Sequence, residues 1–133
     1  MVYLFFNYIC SLKYLTVAII FLTMENLCKI KEVFKKIHQF EQKLNNDLNV
    51  TINEAMVLCS LYETIKCSGD IAADTGISTS RTSRVLLALE QKGYVTRSFN
   101  GTDKRKMMFE LSAGGLEKKQ EISCIDFTIK CNI

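Results

Sequence analysis

The chain has 133 residues, of which 48% are hydrophobic, and a formal net charge of +3. This length fits one small domain whose apolar content can form a core without disulfides or metals. The six cysteines include no Cys-x-x-Cys pair and His38 is the single histidine, so neither a zinc site nor a cysteine–histidine catalytic pair is indicated. No other catalytic grouping or phosphate-binding glycine loop is present. We therefore expect no enzyme, no cofactor and no metal.

The first 23 residues are strongly apolar. They contain eighteen apolar residues and one charged residue, Lys13. A run of this length could form a transmembrane helix, although Lys13 near its middle would cost about 3 kcal/mol. The alternative is a start site assigned too early, with translation beginning at Met24. We favour this second interpretation, and therefore separate an apolar leader (1–23) from a domain formed by residues 24–133.

Residues 25–48 predict a long helix with a wide apolar face. Steps of three and four residues separate most of its apolar positions: Leu27, Ile30, Phe34, Ile37, Leu44 and Leu48. A near-heptad spacing favours pairing with a second chain, while packing within one chain is the alternative. After it, Thr51 and Glu54 have capping-box spacing and predict a helix whose apolar residues extend to Ile65.

Two further helices and a short turn are predicted between residues 68 and 93. Ser68 is the expected cap of the first helix, and Gly76 permits a sharp turn into the second, which Gly93 ends. The second helix has a buried stripe of Thr82, Val85, Leu86 and Leu89. Such a pair is typical of a helix-turn-helix, although an ordinary helical corner has the same spacing.

The outer side of the second helix carries hydrogen-bond donors. The expected DNA-contacting residues on it are Thr79, Ser80, Arg81, Ser83 and Arg84. Leu87 also faces outward, and no reason for this is apparent. Because short hydroxyl side chains and guanidinium groups occupy the outer surface, the helix could pack its apolar stripe on the core and still bind DNA with this outer surface.

Residues 94–99 and 106–111 alternate between apolar and polar side chains, which predicts a β-hairpin. Its tip has a turn at 100–101 followed by charged residues, and the predicted contacts there are Asp103, Lys104, Arg105 and Lys106, with Arg97 on the adjoining strand. Residues 66–106 hold eight Lys or Arg against four Asp or Glu. A solvated hairpin end is the simpler explanation, but the nearby helix is basic as well. The fold class is thus mainly α with a small β-hairpin wing (α+β), a winged helix-turn-helix.

These features resemble the MarR family of bacterial winged-helix regulators over roughly residues 27–122. The most specific matches are LEQKGYV at 89–95, and DKR at 103–105 followed by LSAGG at 111–115. The resemblance implies that Arg105 enters the minor groove, that Asp103 steadies it, and that the second helix enters the major groove. It also implies that residues 24–133 are a winged-helix DNA-binding domain with terminal dimerisation helices. The expected assembly is a homodimer on double-stranded DNA, with pseudo-palindromic half-sites about ten base pairs apart.

The end of the chain departs from the family pattern, because only 22 residues follow Leu111 where members usually have two further helices. Residues 125–133 alternate as in a strand, while Ile122, Ile125 and Ile129 have helical spacing. Some family members sense oxidants through a cysteine of the first helix, a position that Cys28 occupies here.

The sequence therefore predicts a cytoplasmic transcriptional regulator, specifically a repressor that a small-molecule effector releases from DNA when it enters the dimer crevice. The release step follows from the resemblance alone. The alternative function is a winged-helix protein-interaction module, tethered to a membrane by residues 1–23, whose basic face binds a protein or anionic lipid.

Overall fold

The computed structural model describes residues 2–99 and 105–125, with side chains described from residue 15 onward. Eight elements follow one another in this part of the chain. The helices are α1 (Val2–Leu48), α2 (Ile52–Ser60), α3 (Ser68–Thr75), α4 (Thr79–Gln91) and α5 (Ala113–Ser123). The strands are β1 (Lys66–Cys67), β2 (Val95–Phe99) and β3 (Met107–Leu111). The predicted class, mainly helical with a small β wing, is confirmed.

Two compact units divide the chain, one containing residues 2–39 and the other residues 40–125 of the described parts. In the first unit, α1 exposes apolar side chains such as Leu27 (65%) and Phe34 (68%). Helix α1 runs without a break past Met24, so the predicted boundary between leader and domain remains a prediction. No helix among the described residues has the length and apolar character needed to span a membrane.

The core of the second unit forms where α2, α3, α4 and the sheet meet. Leu44 and Val50 enclose it on one side, and both are fully buried. Between them the chain leaves α1 through Asn49, whose φ of 53° lies in the left-handed region that asparagine tolerates at helix ends. The other large buried side chains are Leu58, Leu61, Ile71, Leu86, Leu89, Val57 and Val95.

Helix α2 begins as predicted and ends earlier. The Thr51 hydroxyl accepts from the Glu54 amide and the Glu54 carboxylate accepts from the Thr51 amide, which completes the capping box. The prediction that this helix continues to Ile65 is wrong, because α2 ends at Ser60 and Glu63 adopts a φ of 56°. Ile65 is consequently 56% exposed instead of packing in the core. The early end leaves Lys66 and Cys67 free to form β1.

Helix α3 begins at Ser68, but Ser68 is not its cap as predicted. The cap position belongs to Cys67, which has extended backbone and makes no side-chain capping bond. Cys67 also pairs with Met108 in the sheet, and this pairing sets the point at which the helix can begin. At the other end, Gly76 has a φ of 73° and makes the predicted sharp turn.

The hairpin of β2 and β3 is antiparallel, as predicted, and Val95 pairs with Leu111. The sheet has a third strand that the alternation did not indicate, since β1 pairs with β3 to give the order β1-β3-β2. The turn at 100–101 and the segment 126–133, whose strand-like pattern was noted above, lie outside the described residues.

Candidate nucleic-acid interface

The first two turns of α4 expose the predicted donors. Ser78 caps the helix and its hydroxyl accepts from the Arg81 amide at 3.3 Å. The five predicted contact residues of this helix are all exposed: Thr79, Ser80, Arg81, Ser83 and Arg84. The first turn contains no acidic residue to offset the partial positive charge of the helix N-terminus. This end of α4 therefore attracts anions.

The opposite side of α4 is the predicted stripe, and it is buried. Thr82, Leu86 and Leu89 are no more than 1% exposed, and Val85 is 8% exposed. The buried Thr82 hydroxyl donates to the Ser78 carbonyl at 2.9 Å, so its burial leaves no unsatisfied donor. Helix α4 packs with this side on α2 and α3. The donors consequently project from a rigid support.

The turn between α3 and α4 is short and internally bonded. The Gly76 amide donates to Ala72 at 3.0 Å, and the Thr75 hydroxyl donates to Ile71 at 2.8 Å. The apolar Ile77 then packs against the core before Ser78 begins the next helix. This geometry is a helix-turn-helix, in which the second helix is the one that enters the major groove.

The wing, defined here as residues 95–111, follows α4 directly. Arg105 and Lys106 are exposed immediately before the returning strand β3. Asp103 and Lys104, the other predicted residues of the tip, lie outside the described residues. The structure thus places two of the four predicted tip residues on an exposed surface.

Arg97 differs from the other predicted contact residues. Its Nε donates to Oε2 of Glu90 at 3.0 Å, and Nη2 donates to the same oxygen. The guanidinium carbon also lies 5.8 Å from the centre of the Phe109 ring. Arg97 therefore contacts α4 at the end opposite to the donors.

The C-terminal end of α4 is tied to the junction of α1 and α2 by Lys92. Its Nζ donates to the Glu54 carboxylate and to the Asn49 carbonyl, both at 2.8 Å. The side chain of Glu54 is 7% exposed. No local sequence pattern indicates this contact, because 38 residues separate Lys92 from Glu54.

A second connection joins the wing to the end of α4. The Ser112 hydroxyl accepts from the Gly115 amide at 3.1 Å and donates to the Gly93 carbonyl at 2.6 Å. A Cβ on Gly115 would lie 1.9 Å from the Tyr94 carbonyl oxygen, so no larger residue fits without movement. The LSAGG segment thus holds the base of the wing, a role that its sequence resemblance did not specify.

Ser60, Lys66 and Asp74 form a polar cluster where α2, α3 and β1 meet. The Ser60 hydroxyl donates to Asp74 at 2.6 Å, and the Lys66 ammonium donates to the same carboxylate oxygen at 3.1 Å. The hydrogen bond from Ser60, followed by the bond and charge of Lys66, lowers the pKa of Asp74 below its usual value. The cluster holds the first helix of the helix-turn-helix to the rest of the domain.

An apolar groove of about 450 Å³ borders this cluster. It is lined by Phe40, Ile52, Ala55, Met56, Cys59, Ser60, Asp74, Thr75 and Ile122. Among the described residues no group of three or more metal-binding side chains is assembled. The described cysteines Cys28, Cys59, Cys67 and Cys124 are free.

The MarR family matches residues 50–107 of the chain. No curated protein matches the chain significantly. Among solved structures, the transcriptional regulator BldR from Sulfolobus solfataricus has a TM-score of 0.68 at 20% identity, over 76% of this chain and 73% of that one. AbsC from Streptomyces coelicolor, a MarR family transcriptional regulator, has a TM-score of 0.65 at 26% identity, over 71% and 65%.

A mutant MarR from E. coli, complexed with operator DNA, has a TM-score of 0.64 at 24% identity, over 70% of this chain and 67% of that one. The chain thus covers about two thirds to three quarters of the length of these three structures. The matched residues 50–107 contain α2, α3, α4 and the start of the returning wing strand. Residues 50–107 thus match the MarR family, and the fold that contains them is a winged helix-turn-helix like that of these solved transcriptional regulators.

Proposed function

We propose that this protein regulates transcription by binding a specific sequence of double-stranded DNA through α4 and the wing. The observation that carries the proposal is the division of α4 into two sides. Five residues with hydrogen-bond donors, in the first two turns of the helix, are exposed on one side, while the other side is buried against α2 and α3. A helix presented in this way can lie in the major groove without disturbing the core.

The predicted contact residues have roles that their chemistry supports. Arg81 and Arg84 match guanine edges or phosphates, and Ser80 and Ser83 suit either bases or phosphates. At the wing, Arg105 would enter the narrow minor groove, where negative potential favours arginine. Asp103 would steady Arg105, and Lys104 and Lys106 would neutralise phosphates.

A homodimer is the second part of the proposal. In the unit of residues 2–39, Leu27, Ile30 and Phe34 are at least 50% exposed on α1. Apolar side chains at this spacing are stabilised when a second helix covers them. Pairing of two chains would present two α4 helices to half-sites about one helical turn apart. We expect Leu27→Lys with Phe34→Lys to shift the solution mass from dimer to monomer, and Lys29→Ala to leave the mass unchanged.

The third part is regulation by a small apolar effector, which would release a repressor from its operator. The groove beside Ser60 and Asp74 has a volume in the range of small-molecule sites. It also touches α3, so an occupant could alter the helix-turn-helix directly. In a thermal-shift screen of small neutral aromatic compounds, we expect at least one compound to stabilise the protein and to weaken duplex binding. Cys59→Trp, which narrows the groove, should abolish both effects.

The proposed function is tested by selection from a random pool of labelled duplexes with the full chain, while its mass is recorded in solution. We expect a dimer that enriches a pseudo-palindrome and whose affinity falls steeply with salt. Binding that is weak and independent of sequence would overturn the proposal and favour a winged-helix interaction module. We further propose that the protein acts in the cytoplasm and has no catalytic activity.

A further inference from the structure

Arg97 lies on β2 and contacts two other elements of the winged domain. Its guanidinium donates two hydrogen bonds to Glu90 of α4 and lies over the ring of Phe109 on β3. Arg97 and Phe109 are also directly paired across the two strands. One side chain thus connects α4 to both strands of the wing.

The contact is partly protected from solvent. The side chains of Arg97 and Glu90 are 39% and 31% exposed, and Phe109 is 5% exposed. A guanidinium held over an aromatic ring and bonded to a carboxylate has little freedom to reorient. Its donors are directed at a protein carboxylate, whereas Arg81 and Arg84 have exposed side chains on the outer surface of α4.

The position of Glu90 also separates Arg97 from the DNA-contacting end of the helix. Glu90 lies nine residues after Arg81, which is about 13 Å along the helix axis. The Arg97 head group is therefore near the end of α4 that leads into the wing. At that place it links α4 to the strand that follows it.

We propose that Arg97 is a positioning residue, which sets the wing relative to α4 by binding Glu90 and does not contact DNA. The inference rests on the proposed function, since the wing and α4 must contact one duplex at the same time. Without the contact, the wing samples other orientations, and the residues of its tip lose their alignment with the helix. Glu90 is equally necessary for this contact, although its negative charge alone would repel DNA.

The two possible roles of Arg97 predict opposite results for Glu90→Gln. If Arg97 bound phosphate, removal of the neighbouring carboxylate would strengthen DNA binding, because the net charge rises and the guanidinium is released. If Arg97 positions the wing, Glu90→Gln weakens binding by about fivefold, which corresponds to loss of one such ion pair. Glu117→Gln, which removes an exposed carboxylate from α5, is the control and should leave the affinity unchanged.

The experiment measures duplex affinity of the full chain against salt concentration for Glu90→Gln, Arg97→Gln and the exchange Glu90→Arg with Arg97→Glu. We expect both single variants to bind about fivefold more weakly with an unchanged salt slope, and the exchange to restore most of the affinity. Stronger binding by Glu90→Gln, together with a salt slope reduced by about one in Arg97→Gln, would overturn the proposal.

Amide hydrogen exchange of β2 is recorded on the same variants without DNA. The amides of residues 95–99 should exchange hydrogen faster in both single variants. The double variant Glu90→Arg with Arg97→Glu should restore their protection. Unchanged exchange in the single variants would overturn the proposal. Failure of the wild-type chain to bind any duplex would instead contradict the proposed function. The hydrogen-exchange rates of residues 95–99 would still decide whether Arg97 holds the wing.

Discussion

Nζ of Lys92 lies 2.8 Å from Oε2 of Glu54, and the two residues join the end of α4 to the start of α2. Glu54 is also the acidic partner in the capping box of α2. One nearly buried carboxylate therefore stabilises a helix start and fixes α4 at the same time. This contact holds the C-terminal end of α4, opposite to the end that carries the exposed donors.

Removal of the Lys92 ammonium should destabilise the domain. Lys92→Met leaves the Glu54 carboxylate, 7% exposed, without its cation. Because Lys92 itself is 29% exposed and water can partly replace it, we expect a loss of about 2 kcal/mol in the free energy of unfolding, below the cost for a fully buried pair. Urea denaturation measures this value. Gln91→Met at the adjacent exposed position should change the free energy of unfolding by less than about 0.5 kcal/mol. Equal losses of stability in the two variants would contradict the role of Lys92.

The glycines at 114 and 115 should differ sharply in their tolerance of alanine. A Cβ at Gly115 would meet the Tyr94 carbonyl oxygen at 1.9 Å, whereas at Gly114 the nearest atom is 3.6 Å away. We expect Gly115→Ala to lower the free energy of unfolding by more than about 2 kcal/mol. Gly114→Ala should be neutral or stabilising, since alanine favours a helix over glycine. Thermal unfolding of both variants tests the close approach, which a tolerated Gly115→Ala would refute.

Asp74 should make stability dependent on acid pH. Its pKa is lowered by the hydrogen bond from Ser60 and by Lys66, so folding favours its ionised form. The resulting stabilisation is complete above the ordinary carboxyl pKa of about 3.9 and is lost as the pH falls through the lower pKa of the folded state. We therefore expect the difference in unfolding free energy between wild type and Asp74→Asn to be constant from about pH 7 to 5 and to shrink below about pH 4. Ser60→Ala should reduce this pH dependence, and a difference independent of pH would contradict the prediction.

Arg105 should contribute one cation to DNA binding. Arg105→Ala is expected to weaken duplex binding and to reduce the slope of log affinity against log salt by about one. Fluorescence anisotropy at several salt concentrations gives both quantities. Lys43→Ala, which removes an exposed cation from α1, serves as the control. An unchanged affinity in the Arg105 variant would refute the assignment of the wing tip.

The helix-turn-helix and hairpin were predictable because their signals are local. Thr82, Val85, Leu86 and Leu89 repeat with helical period, and Gly76 and Gly93 both take the positive φ that ends a helix. The same local rules failed for the C-terminal end of α2, since no sequence pattern indicates that Glu63 adopts a left-handed backbone conformation. Strand β1 has two residues, which is too short for any alternation to appear.

The contacts that orient the site could not be predicted from the sequence. Local charge identified Arg97 as one more cation near the wing, but only the fold brings it to Glu90. Likewise, Lys92 and Glu54 are distant in sequence and meet because α2 packs on α4. Charge patterns indicate which residues can bind DNA, whereas packing decides which of them are already bound to the protein.

The most direct test of the central claim compares two double variants on the duplex selected by the wild-type chain and on a scrambled duplex. Arg81→Ala with Arg84→Ala removes two cations from the exposed side of α4, and Lys29→Ala with Lys31→Ala removes two exposed cations from α1. We predict that the wild type and the α1 variant prefer the selected duplex by at least about a thousandfold, and that the α4 variant loses most of this preference. Equal preference in the two variants would contradict the assignment of α4 as the helix that reads DNA.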